Sequence, residues 1–223
     1  MMEKRTIEDR LREEYFQLLP DIRRVAEHVE TEVRFCLLPI SGTLHKYERL
    51  VVSSRVKDCE SALDSLRRRQ EGATFDRDQA TLYTLTSLND LAGVRVLAFP
   101  RNRLTEVDRA LRDRFPAWQA DPVPGFDESD SPLAFKYHGY CQASAQVRGE
   151  FQIVSMLTGL FWQVEHSAIY KPDPRLRGVA RSLVMQQRTR EVLDTLRAFE
   201  EEFENLLRRD PFIIHSISDH SPE

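Results

Sequence analysis

Apolar residues recur at helical spacing from the start of the chain: Ile7, Leu11, Tyr15, Leu18, Ile22, Val25 and Val29. Intervals of three and four residues bring them to one face and predict a helix over 6–38. Pro20 falls inside it, where a missing N–H and a bulky ring oppose the helix, so a break or kink is expected there. Pro39, Ser41 and Gly42 then punctuate the chain. Leu50-Val51-Val52 reads as a short strand running into Arg55. Ala62, Leu63 and Leu66, set among charges, read as a helix that ends near Arg69, followed by a polar loop over 70–78.

The run Val94-Arg95-Val96-Leu97-Ala98-Phe99 reads as a buried strand, introduced by Asn89-Asp90-Leu91-Ala92-Gly93. Leu104, Val107, Leu111 and Phe115 mark one side of an amphipathic helix. The segment 121–132, rich in Pro, Gly and acids, is expected to be a surface loop. Strands over 140–147 and 150–154 follow. A helix over 156–170 comes next, its core stripe being Leu157, Leu160, Phe161, Val164 and Ala168, with Trp162, Glu165, His166 and Ile169 on another face. A last long helix, over 176–207, carries Leu183, Val192, Leu196, Phe199, Phe203 and Leu206 as its apolar stripe. Strands in the middle, with helices between them and at both ends, predict an α/β (α+β) layer fold.

Composition narrows the class. With 223 residues, 41% of them hydrophobic, the chain can bury a real core. A formal charge of −4 argues against a globally basic nucleic-acid binder, though a local basic patch stays open. Cys36, Cys59 and Cys141 show no metal-ligand spacing and read as thiols of a reducing cytoplasm. No apolar run reaches membrane-spanning length and the first residues hold no signal-peptide core, so the expected location is cytoplasmic, away from membranes.

Four clusters carry candidate chemistry. Arg55 and Lys57, with Arg67, Arg68 and Arg69 at the end of the next helix, could clamp a polyphosphate, since Arg offers bidentate contacts and Lys a point charge. Asp90 before Gly93 and a buried strand suits a magnesium site, which uses one or two carboxylates plus substrate phosphates. Lys136-Tyr137-His138-Gly139-Tyr140 combines a close-approach glycine with aromatics able to stack on a base. Glu150 and Gln152 share one strand face, and Trp162, Glu165 and His166 follow on a helix. Singly, each has a plain structural reading: a solvated basic face, an Asp capping a turn, an ordinary turn tyrosine, a Glu–His hydrogen-bonded pair.

Their order along the chain changes the reading. Arg55-Val56-Lys57…Ser61, Asp90 to Arg95, Gly139-Tyr140, Glu150-Phe151-Gln152-Ile153 and Trp162…Glu165-His166…Tyr170-Lys171 resemble the RelA/SpoT synthetase family, above all its small alarmone synthetases. The resemblance spans roughly 50–171. It implies a central mixed β-sheet of the nucleotidyltransferase-like synthetase type, over 46–171, between a helical extension over 1–45 and a second extension with a tail over 172–223. It also implies transfer of pyrophosphate from ATP to the ribose 3′-OH of GDP or GTP, with Mg2+ as cofactor and release of AMP. By position it implies Asp90 and Glu150 as the catalytic and metal-binding pair. Arg55, Lys57, Arg67 or Arg68, and Arg95 would bind ATP, and Lys136, Tyr140 and His166 the acceptor.

The sequence also departs from the family. The family continues Gly-Tyr with Arg-Ser and a His; here Cys141-Gln142-Ala143-Ser144 follow Tyr140. Its Arg-Thr after the glutamate strand is Val154-Ser155, and the Asn that helps read guanine is Ile169. A site without its hydrogen-bonding partners loses discrimination. Three readings therefore stand: a (p)ppGpp-type synthetase; a toxin of this type, with an antitoxin partner, that modifies the 3′ CCA end of tRNA or makes an adenosine alarmone; and a non-enzymatic nucleotide-binding module. For tRNA the basic surface would be Lys4, Arg5, Arg23, Arg24, Arg175, Arg177 and Arg181. The terminal helices are the expected surface of a homo-oligomer.

Overall fold

In the computed structural model, the described residues are 6–71, 83–124, 132–165 and 182–209. Thr6 starts the first helix, α1 (Ile7–Ser41), with a reciprocal cap: its hydroxyl accepts from the Asp9 N–H at 3.1 Å, and the Asp9 carboxylate accepts from the Thr6 N–H at 3.1 Å. The helix runs through Pro20 without interruption, unlike the break expected there. Pro20 and Phe16, four residues before it, both lie on the exposed side, where water can satisfy the carbonyl that proline leaves unpaired. The opposite face, from Leu11 through Ile22, Val25, Val29 and Val33 to Ile40, is buried.

That face lies on a five-stranded mixed sheet. Its strands are β1 (Arg49–Val56), β2 (Ala92–Phe99), β3 (Gln119–Ala120), β4 (Ala134–Cys141) and β5 (Ser144–Ser155), in the order β1-β2-β5-β4-β3. Only the β2–β5 pair is parallel. Helix α2 (Cys59–Glu71) follows β1, a single 3-10 turn (Leu85–Ser87) precedes β2, and α3 (Arg103–Arg114) follows it. Side chains alternate across the sheet. Ala92, Val94, Val96 and Ala98 of β2 and Val147, Phe151 and Ile153 of β5 enter the large core with α1, α2 and α3. Arg55, Gly93, Arg95, Glu150, Gln152 and Lys136 take the other face.

The strand break lies elsewhere than expected. Instead of strands over 140–147 and 150–154, β4 and β5 form a hairpin that turns at Gln142-Ala143. Gly149 is an interior strand residue: a Cβ there would stand 2.9 Å from Trp118 Cη2 and 2.9 Å from Val29 Cγ2. Close packing, not a turn, calls for this glycine.

Helices α4 (Met156–Glu165) and α5 (Leu183–Arg209) cover part of the second face. At Gly159 a Cβ would stand 2.4 Å from Leu97 Cδ2 and 3.0 Å from Val154 Cγ1, so α4 sits directly on the sheet. This alters its expected stripe. Thr158 and Gly159 are buried, Met156 and Trp162 pack on Leu97, Ala134 and Val154, and Leu160 and Val164 are exposed. Residues 166–170 of the expected helix, and 176–181 of the next, lie outside the described residues, as does 125–131 of the acidic loop.

On α5, Phe203 packs on Phe99 and Tyr47, with ring centroids 5.2 and 5.8 Å apart. Leu193, Glu200 and Glu204 are buried, while Leu183, Val192, Phe199 and Leu206 of the expected stripe are exposed. Among the described residues no helix is long and apolar enough to cross a membrane.

Candidate active site

Strand register builds the site in two rungs across the sheet. Arg55, Gly93, Glu150 and His138 form one; Ser53, Arg95, Gln152 and Lys136 form the next. Gly93 has no side chain, and that of Arg55 lies over it, its Cγ 3.6 Å from where a Cβ would stand. Arg95 Nε donates to Gln152 Oε1 at 3.2 Å, which fixes the guanidinium on the sheet.

Asp90 enters from the loop before β2. The Lys57 N–H donates to the Leu91 carbonyl at 2.9 Å, and the Tyr15 hydroxyl donates to the Lys57 carbonyl at 2.8 Å. These bonds tie the end of β1 to both α1 and the Asp90 loop. Lys57 Nζ then donates to Asp90 Oδ2. Lys136 Nζ lies 3.4 Å from Glu150 Oε2 and 3.1 Å from Asp121 Oδ2. Each central carboxylate thus has its own lysine.

The two carboxylates are shifted in opposite directions. Burial alone would raise Asp90, but the charge and hydrogen bond of Lys57, with Arg55 and Arg69, bring it below its ordinary value. Glu150 is raised, by burial first and then by the Asp90 charge, against the pull of Lys136 and Arg55. Burial also lowers His138 and raises Glu165.

A cleft of about 660 Å³ joins Arg55, Asp90, Arg95, Lys136, Glu150 and Gln152, with Trp162, Gln163 and Glu165 of α4 as one wall and Val123 at its edge. Arg55, Arg95, Asp90, Glu150 and Lys136 therefore meet, although they come from four strands or their ends, and Lys57 reaches the same place through Asp90. Arg67 and Arg68 do not line this cleft. Arg67 pairs with Glu8 at 2.6 Å and Asp64 at 2.8 Å, and Arg68 donates to the Asp64 carbonyl and the Ser65 hydroxyl. Arg69, on another side of α2, does not line the cleft either but acts on it through its charge. It donates to the Ser87 carbonyl at 3.0 Å, and its charge acts on Asp90 and His138. His166 lies outside the described residues.

Tyr140 is exposed at the end of β4, on the same face as Lys136 and His138, and its carbonyl accepts from Trp118 Nε1 at 3.1 Å. The Arg148 guanidinium lies 5.1 Å from its ring centroid. Arg148 and His138 are residues of this face to which sequence reasoning assigned no role. Arg148 fell in the break expected between strands, and only the continuous β5 sets it two residues before Glu150 on one face. Asp121 carried no signal either, because only the fold brings it to Lys136.

Among the described residues no three His, Cys, Asp or Glu side chains gather as a metal cage. The residues do fit an ion that takes one or two carboxylates and completes its shell with phosphate and water. Asp90 Oδ1 is buried without a hydrogen-bond partner, as expected of an oxygen awaiting a ligand.

No protein-family model and no curated protein sequence matches the chain. Solved structures do. A small alarmone synthetase 1 from Bacillus subtilis bound to its product pppGpp is 18% identical, superposes with a TM-score of 0.63, and covers 87% of this chain and 96% of its own. The same protein bound to AMPCPP gives 17%, 0.61, 88% and 97%. A GTP pyrophosphokinase family protein from Streptococcus pneumoniae gives 17%, 0.63, 94% and 98%. Over 87–94% of its length, this chain has the fold of the small alarmone synthetases.

Proposed function

We propose that the protein is an ATP-dependent pyrophosphokinase that transfers pyrophosphate to the ribose 3′-OH of a guanine nucleotide, GDP or GTP, making (p)ppGpp. The observation that carries this reading is the cleft itself, where two carboxylates whose proton affinities are shifted in opposite directions stand among Arg55, Arg95 and Lys136, with Lys57 on Asp90. Moving a pyrophosphoryl group needs charge neutralisation and in-line positioning more than covalent chemistry by the protein. The fold shared with a synthetase bound to AMPCPP, and with the same synthetase bound to pppGpp, supports both a donor and an acceptor side.

In this reading Arg55, Lys57 and Arg95 hold the ATP phosphates, and Arg69 takes the part first assigned to Arg67 and Arg68. Asp90 and Glu150 hold Mg2+, which when bound neutralises phosphate charge and polarises the transferred group. The acceptor O3′ attacks the β-phosphorus of ATP, the bond from that phosphorus to the α,β-bridging oxygen breaks, and AMP leaves. The hydroxyl proton passes to the Glu150 carboxylate, whose raised proton affinity suits it to that step. Tyr140 stacks on the acceptor base, Lys136 meets the acceptor phosphates, and the α4 wall shields the cleft from water.

Incubation of the protein with labelled ATP and GDP, GTP, ATP or deacylated tRNA, with magnesium, tests this directly. Label is expected on GDP or GTP. Label on tRNA or on ATP alone would replace the acceptor assignment by that of a toxin of the same chemistry, and transfer to none would overturn the enzyme reading.

A further inference from the structure

Lys136 is the lysine assigned to the acceptor phosphates, yet its ammonium already stands between two anions. Its Nζ lies 3.1 Å from Asp121 Oδ2 and 3.4 Å from Glu150 Oε2. Glu150 is a central carboxylate of the cleft. Asp121 is not: its side chain is 57% exposed, and it stands at the outer side of Lys136.

Asp121 is nonetheless fixed in place. It follows β3, where Ala120 stands opposite Tyr137, and its own N–H donates to the Lys136 carbonyl at 2.8 Å. Two residues on, the Val123 N–H donates to the Ala134 carbonyl at 2.9 Å. These bonds continue the β3–β4 ladder, so Asp121 stands opposite Lys136 and the two side chains share a face. With its backbone pinned, a side chain as short as that of aspartate keeps its charge close to Lys136.

An ammonium has three donors, so a phosphate oxygen can join Lys136 beside the carboxylates. Two oxygens on one ammonium at ordinary hydrogen-bond length stand about 4–5 Å apart. A phosphate held by Lys136 therefore comes within about 5 Å of the Asp121 carboxylate, where water screens the repulsion of like charges only in part. That repulsion grows with the charge of the phosphate chain.

We infer that Asp121 is a specificity-determining residue of the acceptor side, a fixed negative charge beside Lys136 that favours a nucleoside diphosphate over a triphosphate. The inference rests on the reading of Lys136 as the acceptor's phosphate contact. It sets GDP before GTP as the acceptor.

The test is equilibrium binding by calorimetry, with the donor side first saturated with AMPCPP so that added ligand reports the acceptor side. Guanosine, GDP and GTP are compared on the unaltered protein, on Asp121→Asn and on Lys136→Met. Asp121→Asn is expected to tighten GDP about threefold and GTP about tenfold, and to leave guanosine within about 1.5-fold. Both effects should shrink as salt rises from about 50 to about 500 mM. Asp121→Ser, which also removes the charge, is expected to behave in the same way and decides alone should the Asn variant fail to fold. Equal tightening of GDP and GTP, tightening shared by guanosine, or no change would overturn the inference. Weaker binding of GDP would overturn it too, since Asp121 would then serve to hold Lys136 for the phosphates. Lys136→Met is expected to weaken GDP at least about tenfold and guanosine about twofold or less; if GDP is spared, the reading of Lys136 fails and the inference with it. If no guanine nucleotide binds the unaltered protein, the proposed function fails as well. If nucleotides bind through Lys136 and the Asp121 variants do not discriminate, only the role of Asp121 fails.

Discussion

Glu200 should make the protein less stable as pH rises. It lies on α5, fully buried, one turn before the buried Glu204. Glu204 has its own partners: it accepts from the Asn102 N–H at 2.6 Å and lies 3.3 Å from Arg208. Neither oxygen of Glu200 reaches hydrogen-bond geometry. Burial dominates, opposed only in part by the Ser155 hydroxyl and the Arg101 charge, and pushes the carboxyl from 4.5 up to about 7. Below the unfolded value both states hold the proton and the group contributes nothing to the balance. As pH rises from 4.5 toward 7, the unfolded chain releases its proton while the folded chain keeps it, so stability falls. Above about 7 the loss is complete, about 3 kcal/mol for a difference of this size. Glu200→Gln removes the titration. Its buried amide carries a cost of about 1–3 kcal/mol that does not change with pH, so the clean quantity is the change in the variant-minus-parent difference between pH 5 and pH 8. Urea unfolding followed by circular dichroism should show the variant gaining on the parent by about 2 kcal/mol over that interval. A difference that stays flat would refute the reasoning, because every other titrating group is common to both proteins.

Three further outcomes are expected. Asp90→Asn should weaken Mn2+ binding, read by electron paramagnetic resonance with AMPCPP present, at least about tenfold, because it removes the charge that an ion needs; unchanged affinity would take Asp90 out of the ion's ligand set. Arg103→Met leaves the buried Glu48 carboxylate, now held at 2.7 and 2.8 Å, without its counter-charge, and should cost about 3–5 kcal/mol in urea unfolding. A loss below about 1 kcal/mol would mean that water reaches Glu48. Gly159→Ala inserts a methyl where Leu97 Cδ2 is 2.4 Å away, and should destabilise the protein by about 1–3 kcal/mol by lifting α4 off β2; neutral unfolding would show that Leu97 yields without moving the helix.

Much of the architecture could be read along the chain, since helix and strand periods are local properties of consecutive residues. The six apolar positions from Leu11 to Val29 predicted the buried face of α1, although Ile7 before them is exposed, and the run from Val94 to Phe99 predicted β2. Order along the chain also brought Asp90, Glu150, Arg55 and Arg95 forward as one set, and strand register brings those four to a single cleft. What local pattern could not supply were features set by distant partners. Pro20 is compatible with a continuous helix because its side faces water. Gly149 belongs inside a strand because Trp118 and Val29 stand against it. Leu160 and Val164 are exposed because the closest approach of α4 to the sheet runs through Gly159, on a different side of the helix. Arg67 is turned away from the cleft because Glu8, fifty-nine residues away, holds it, while the charge of Arg69 acts on Asp90. The alternation of polar and apolar residues determined which elements form and which face of each strand bears charge. The tertiary structure alone decided which charges meet, because an ion pair depends on distance in space, and hydrogen-bond register and helix docking set that distance between segments far apart in sequence.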